Sequence, residues 1–209
     1  TNDWMIFHSS LSANNAIKLN STNAAFDATA GTQGGGFSVD STKMTVLSGT
    51  SNQNNNNKSG DDFIAYCFRD ITGYQKIGSY TGDSGTSHSI DTGFKPSFLF
   101  IARADSGDNR LIFDSARDGT TNNNQVLFPN NGNAESSPNL GNGIDFTDTG
   151  FTIKTSDGSV NNSSGTYLYW AIAGTYPSET PTVEESFSAE NWGGSDYRKN
   201  IMNNFRAGL

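Results

Sequence analysis

The strongest constraint on this chain is the length of its apolar runs. They recur as short blocks, including Trp4–His8, Ala16–Leu19, Phe37–Val39, Met44–Leu47, Phe63–Phe68, Tyr74–Tyr80 and Ser87–Asp91 in the first half. Ser97–Arg103, Arg110–Asp114, Gln125–Phe128, Gly143–Phe146, Phe151–Lys154 and Tyr167–Ala173 follow. Blocks of roughly four to eight residues fit strands and are too short for helices. Between them lie polar clusters such as Asn52–Gly60, Thr120–Asn124, Asn130–Asn142 and Ser156–Gly165. Asn, Gly, Asp and Ser supply the positive φ values and local side-chain hydrogen bonds that tight turns need. Up to about residue 175 no convincing helical period competes with this pattern.

Composition decides between a folded and a disordered reading. Hydrophobic residues make up 33% and charged residues 16%, while Asn, Ser, Thr and Gly fill about 45% of the 209 positions. So few apolar residues can mean a chain that never buries a core. Aromatic residues nevertheless reach 11%, and they sit inside the short runs. That distribution predicts aromatic-rich strands joined by polar loops. Lys, Glu, Leu and Ala are too scarce for a helical bundle. No run approaches the 18 apolar residues of a membrane-spanning helix, so no membrane insertion is expected. The predicted fold class is all-β, with tandem antiparallel β-sandwich modules of jelly-roll or lectin-like type.

A net charge of −8 without a Lys/Arg cluster argues against nucleic-acid binding and against anionic membranes. Its ordinary use is solubility. The single cysteine, Cys67, excludes an internal disulfide framework and a multi-cysteine metal site. It reads as a buried, inert thiol. The chain starts at Thr1 without a basic segment and apolar core of signal type, so it reads as processed, trimmed or cut from something longer.

Several runs match in order. Trp4-Met5-Ile6-Phe7 aligns with Arg110-Leu111-Ile112-Phe113, and Ile17 with Leu127. Gly36-Phe37-Ser38-Val39 aligns with Gly150-Phe151-Thr152-Ile153, and Phe63–Phe68 with Tyr167–Ile172. The expected organisation is a partial sandwich module over 1–70, the back half of a repeat, and a complete module over 71–175. Residues 176–209 form a linker and tail. Missing strands of the first module then lie upstream or come from another part of the assembly. In the tail, Tyr197, Ile201, Met202 and Phe205 are spaced like one face of a short helix, with Ser195 or Asp196 as cap and Gly208 as stop. A frayed terminus fits the same residues equally.

The motifs that suggest chemistry each have a plainer reading. Gly82-Asp83-Ser84-Gly85 resembles the nucleophile stretch of trypsin-like serine proteases, yet only His8 and His88 exist as bases, in the wrong context. A hairpin turn is the better expectation. Asp105, Asp108, Asp114 and Asp118 offer oxygen ligands for calcium, but without EF-hand spacing, and turn formation explains the same letters. Trp4, Trp170, Trp192 and the tyrosines suit a sugar-stacking platform or a core. Trp170 follows Tyr169, so one of the two faces outward on a regular strand. No glycosidase-like carboxylate pair stands out. The sequons at Asn20, Asn57 and Asn162 are expected by chance in a chain with 25 Asn. Hence no catalytic residue, metal site or cofactor is expected, and no binding residue is singled out.

One combination is more specific. Gly78-Ser79-Tyr80-Thr81-Gly82 is followed by Thr92-Gly93-Phe94-Lys95-Pro96, Ile112–Arg117, Gly150-Phe151 and Ser164–Tyr169. Together these resemble a module of virion structural proteins from phages of marine bacteria such as cyanobacteria, including tail-fibre-like proteins. The resemblance covers residues 1–175 and carries over no catalytic residue. It implies a non-enzymatic virion protein, localised in the virion, most simply a tail fibre or appendage for host attachment. The alternative is a capsid decoration or assembly protein without a receptor role. Implied partners are other virion proteins, further copies in a homo-oligomer (a trimer favoured), and a host-surface glycan or protein.

Overall fold

The computed structural model describes residues 3–29, 36–39, 43–46, 56–136, 140–174, 187–193 and 199–202. In chain order the strands are β1 (Met5–Ile6), β2 (Asn15–Lys18), β3 (Phe26–Asp27), β4 (Phe37–Val39), β5 (Lys43–Val46) and β6 (Asp62–Phe68). There follow β7 (Gln75–Thr81), β8 (His88–Asp91), β9 (Pro96–Arg103), β10 (Arg110–Asp114), α1 (Ser115–Asp118), β11 (Ile144–Thr147) and β12 (Gly150–Ile153). Last come α2 (Gly158–Asn161), β13 (Thr166–Ala173), β14 (Phe187–Gly193) and β15 (Lys199–Met202). Every named strand pair is antiparallel, and among the described residues the helices are single turns. The fold is all-β.

Two compact units divide the chain: Thr1–Lys18, Ala25–Arg69 and Pro181–Leu209 in one, Leu19–Ala24 and Asp70–Thr180 in the other. In the second, a four-stranded sheet β10-β9-β13-β7 faces a three-stranded sheet β11-β12-β8. Strand alternation sends Leu99, Ile101, Leu111, Phe113, Tyr167 and Tyr169 inward from the first sheet. Ile144, Phe146, Phe151 and Ile153 meet them from the other. A core shared by two facing sheets is a β-sandwich. Gly150 is set by this pairing. A Cβ there would lie 2.0 Å from the Ile90 carbonyl oxygen on β8.

In the first unit the described residues form a smaller core. Its sheets run β1-β2-β3, β4-β5-β15 and β14-β6. Met44 and Val46 are buried, with Phe37, Phe63, Ala65 and Cys67 packed against them. Phe7 stacks on Phe37 at 4.2 Å between ring centroids.

The tail differs from its helical expectation. Lys199–Met202 is strand β15, paired along β5, and Phe187–Gly193 pairs along the whole of β6. A short isolated helix carries an unfavourable nucleation cost. A strand that docks on existing edges gains a hydrogen-bonded ladder at once. The expected linker at 176–186, with Tyr197 and Phe205, lies outside the described residues. Gln125–Phe128 contributes only isolated bridges at Val126 and Leu127, not a strand.

Candidate functional site

The β6 sequence Phe-Ile-Ala-Tyr-Cys-Phe is apolar without interruption, the pattern of a strand buried on both faces. The structure packs one face only, and that face, Cys67 included, is half-buried. Phe63, Ala65 and Cys67 turn toward Met44 and Val46. Ile64, Tyr66 and Phe68 occupy the other face at 51%, 48% and 38% exposure. Trp4 joins them, 56% exposed, its ring 6.4 Å from that of Tyr66 and within 11° of parallel. Single exposed apolar side chains are ordinary, whereas a contiguous row marks a contact surface. Two near-parallel aromatic faces offer flat, polarisable area to a ring or a sugar face.

The Gly82–Gly85 motif is not the expected hairpin, because β7 pairs with β13 and β8 with β12 in the other sheet; it is a connecting turn built around Asn161, which is fully buried. The Asp83 amide donates to Asn161 Oδ1 at 3.0 Å, and Asn161 Nδ2 donates to Asp83 Oδ1 at 3.1 Å and to the Gly85 carbonyl at 2.8 Å. The Gly85 amide also reaches Asp83 Oδ1, at 2.7 Å. These bonds, Gly85 first and Asn161 next, hold the Asp83 carboxyl below its ordinary range, with a smaller contribution from His88. His88 Nδ1 lies 3.2 Å from Asn161 Oδ1 and 3.5 Å from Asp83 Oδ1. The carboxylate and imidazole are thus drawn into the turn, and Ser84 takes a left-handed φ of 58° with its amide bonded to the Asn161 carbonyl. Asn161 is the residue that sequence reading missed. Its only signal was Asp157 three residues before Val160, which caps α2 by accepting from the Ser159 amide.

The four aspartates do not converge. Asp105 grips Arg103 through two 3.1 Å bonds, and that contact lowers its pKa. Asp108 accepts from the Asn109 amide, and burial raises its pKa. Asp114 caps α1, and Asp118 accepts from the amides of Asn124 and Gln125. Among the described residues no group of three or more His, Cys, Asp or Glu is placed to hold a metal ion.

Of the tryptophans, Trp4 lies on the exposed ridge. Trp170 is half-buried, edge-on to Phe98 and donating to Gln75 Oε1 at 3.1 Å, while Tyr169 points into the core. The position of Trp192 is on β14, opposite Phe63. Asn57 is fully buried, which removes its sequon from use in the folded chain, and Asn20 and Asn162 are exposed.

The family match covers this ridge and the second sandwich together. The chain belongs to the family described as Domain of unknown function (DUF7483). That family's model matches residues 1–176. The match includes Trp4, Ile64, Tyr66 and Phe68 and stops before β14. No curated protein and no solved structure matches the chain.

Proposed function

We propose that this chain is a non-enzymatic structural protein of a virion, part of a tail fibre or similar appendage, that contributes to attachment at the host surface. The observation that carries the reading is the ridge in which Ile64, Tyr66 and Phe68 share one exposed face of β6 and Trp4, just before β1, lies beside Tyr66. Its partner is a host-surface glycan, held by stacking of apolar sugar faces on the Trp4 and Tyr66 rings. The net charge of −8 disfavours polyanionic partners and leaves neutral sugars as the suitable class. Tandem sandwich modules keep such a surface rigid, and repetition by oligomer symmetry multiplies weak contacts. The resemblance of Gly78–Gly82 and Thr92–Pro96 to marine phage virion proteins supports the same reading.

Glycan-array and host-cell binding by the purified chain tests it. Binding by the wild type, reduced at least tenfold in Trp4→Ala and Tyr66→Ala, supports the reading. Absence of binding at high avidity, with density for the chain on the capsid shell, overturns it in favour of capsid decoration.

A further inference from the structure

Strand registers in the two units coincide. In the first, Ile6 pairs with Ile17; in the second, Ile112 pairs with Leu127, the residues that align with them. In the second unit Tyr80 of β7 pairs with Tyr167 of β13. In the first, Trp192 of β14 pairs with Phe63 of β6, and Phe63 aligns with Tyr167. Likewise Ile90 of β8 pairs with Phe151 of β12, and Ile201 of β15 pairs with Met44 of β5. The sheet orders β11-β12-β8 and β4-β5-β15 then correspond strand for strand. Beyond β15 the sequence Asn203-Asn204-Phe205-Arg206 stands where Thr92-Gly93-Phe94-Lys95 follows β8.

These correspondences make β14 and β15 the counterparts of β7 and β8. In these strands the first unit parallels the second, but its β14 and β15 arrive from the far end of the sequence, after the whole second unit, and among the described residues β6 has no neighbour in the place that β9 takes beside β13. A unit whose halves are so separated can be completed by strands of its own chain or by the same strands of another copy, with identical pairing.

We propose that β14 and β15 act as an exchangeable clasp that pairs with β6 and β5 of a second copy, joining one copy to another. Recognition is by β-strand addition. Main-chain hydrogen bonds along Asp62–Phe68 and Lys43–Val46 supply the affinity, and the fixed register supplies the specificity. Residues 175–186 give the clasp its reach, since a stretch of that length spans at most about 40 Å. Each copy gives one clasp and receives one, so passing it onward builds a linear or ring assembly, while reciprocal exchange between two copies closes a two-fold dimer. It does not depend on the surface-binding reading of the ridge.

The sole cysteine provides the test. Position 188 lies directly opposite Cys67 across the β14–β6 pair, within the Cα separation that a disulfide accepts. The wild type carries its thiol on β6; a Cys67→Ala, Ser188→Cys chain carries its thiol on β14. Co-refolded and oxidised together, the two form a disulfide heterodimer only where β14 of one copy lies on β6 of the other. The expected result is heterodimer as the main cross-linked product, with a dimer or a ladder of multimers from Ser188→Cys alone that grows with protein concentration. The proposal is overturned if Ser188→Cys closes only on itself, at monomer mobility, and the mixture gives no heterodimer. It is equally overturned if no cross-link forms in chains that are folded by circular dichroism, because the pairing is then absent.

Discussion

Tyr80 lies against Tyr167 with ring centroids 5.0 Å apart and planes within 13° of parallel, and the two are direct cross-strand partners. Their hydroxyls reach the same turn. Tyr80 donates to the Val160 carbonyl at 2.7 Å, and Tyr167 donates to the Gly158 carbonyl at 2.6 Å while accepting from the Asn162 amide at 2.7 Å. Burial raises the pKa of both phenols, which keeps the donors protonated. The pair thus fixes α2 on the sheet, and with it Asn161 beneath the Gly82–Gly85 turn.

Removing each hydroxyl separates the two contributions. Tyr80→Phe abandons one buried carbonyl and costs about 1–2 kcal/mol. Tyr167→Phe abandons a carbonyl and an amide and costs more, about 2–3 kcal/mol. Urea denaturation at neutral pH checks the order, and an equal cost for both contradicts the assignment of the second bond.

Gly150→Ala tests the close approach of β12 and β8. The added Cβ meets backbone, the Ile90 carbonyl oxygen at 2.0 Å, which cannot rotate away. The strands must separate, with an expected loss of about 3 kcal/mol. Gly132→Ala has open space and serves as the control. Thermal unfolding of the two variants reads the difference.

The strand content was legible because short apolar runs between turn clusters reflect local physics. Phe37–Val39 and Arg110–Asp114 occupy the predicted residues to the end. What was hidden depends on partners distant in sequence. Lys199–Met202 carries helix-compatible spacing at Ile201 and Met202, and only the distant edge of β5 makes it a strand. Phe187–Gly193 mixes polar residues into its run and is specified by β6 in the same way. The match of Gly36–Val39 to Gly150–Ile153 also misled, since β4 is an outer strand of its sheet and β12 a central one. The ridge was half legible. Trp4 and the tyrosines were candidates, but nothing in the run Phe63–Phe68 says which face stays exposed.

Arg110 is fully buried, and its guanidinium bridges main-chain carbonyls of Arg103, Asp108 and Asn23. Burial lowers its pKa. The last contact holds residues 19–24 in the second unit, where the Asp108 amide also donates to the Thr22 carbonyl at 2.8 Å. A lysine carries a point charge and lacks the planar fork. Arg110→Lys is expected to lose about 2–4 kcal/mol through carbonyls left unpaired. It also speeds proteolytic cleavage within residues 19–24, read by limited digestion and mass spectrometry. Unchanged stability would show that the fork is not needed there.

Acid stability carries a sign that follows from three aspartates. Asp83 and Asp105 have pKa values lowered in the fold, by the Gly85 amide and the Asn161 side chain for one and chiefly by Arg103 for the other. Their contribution is fully present above the ordinary aspartate value of 3.8 and is lost as pH falls through the lowered values. Asp108 works the other way. Burial raises its pKa, so its contribution is present at low pH and is lost as pH rises from 3.8 through the raised value. Asp105→Asn should therefore lower the urea midpoint at pH 7 and converge on the wild type at the acid end. Asp108→Asn should raise the midpoint at pH 7, since an amide keeps the acceptor for the Asn109 amide without a buried charge. Urea midpoints measured from about pH 7 down to about pH 2.5 check both. Parallel curves for Asp105→Asn and the wild type would remove the Arg103 contact as the source of the acid dependence.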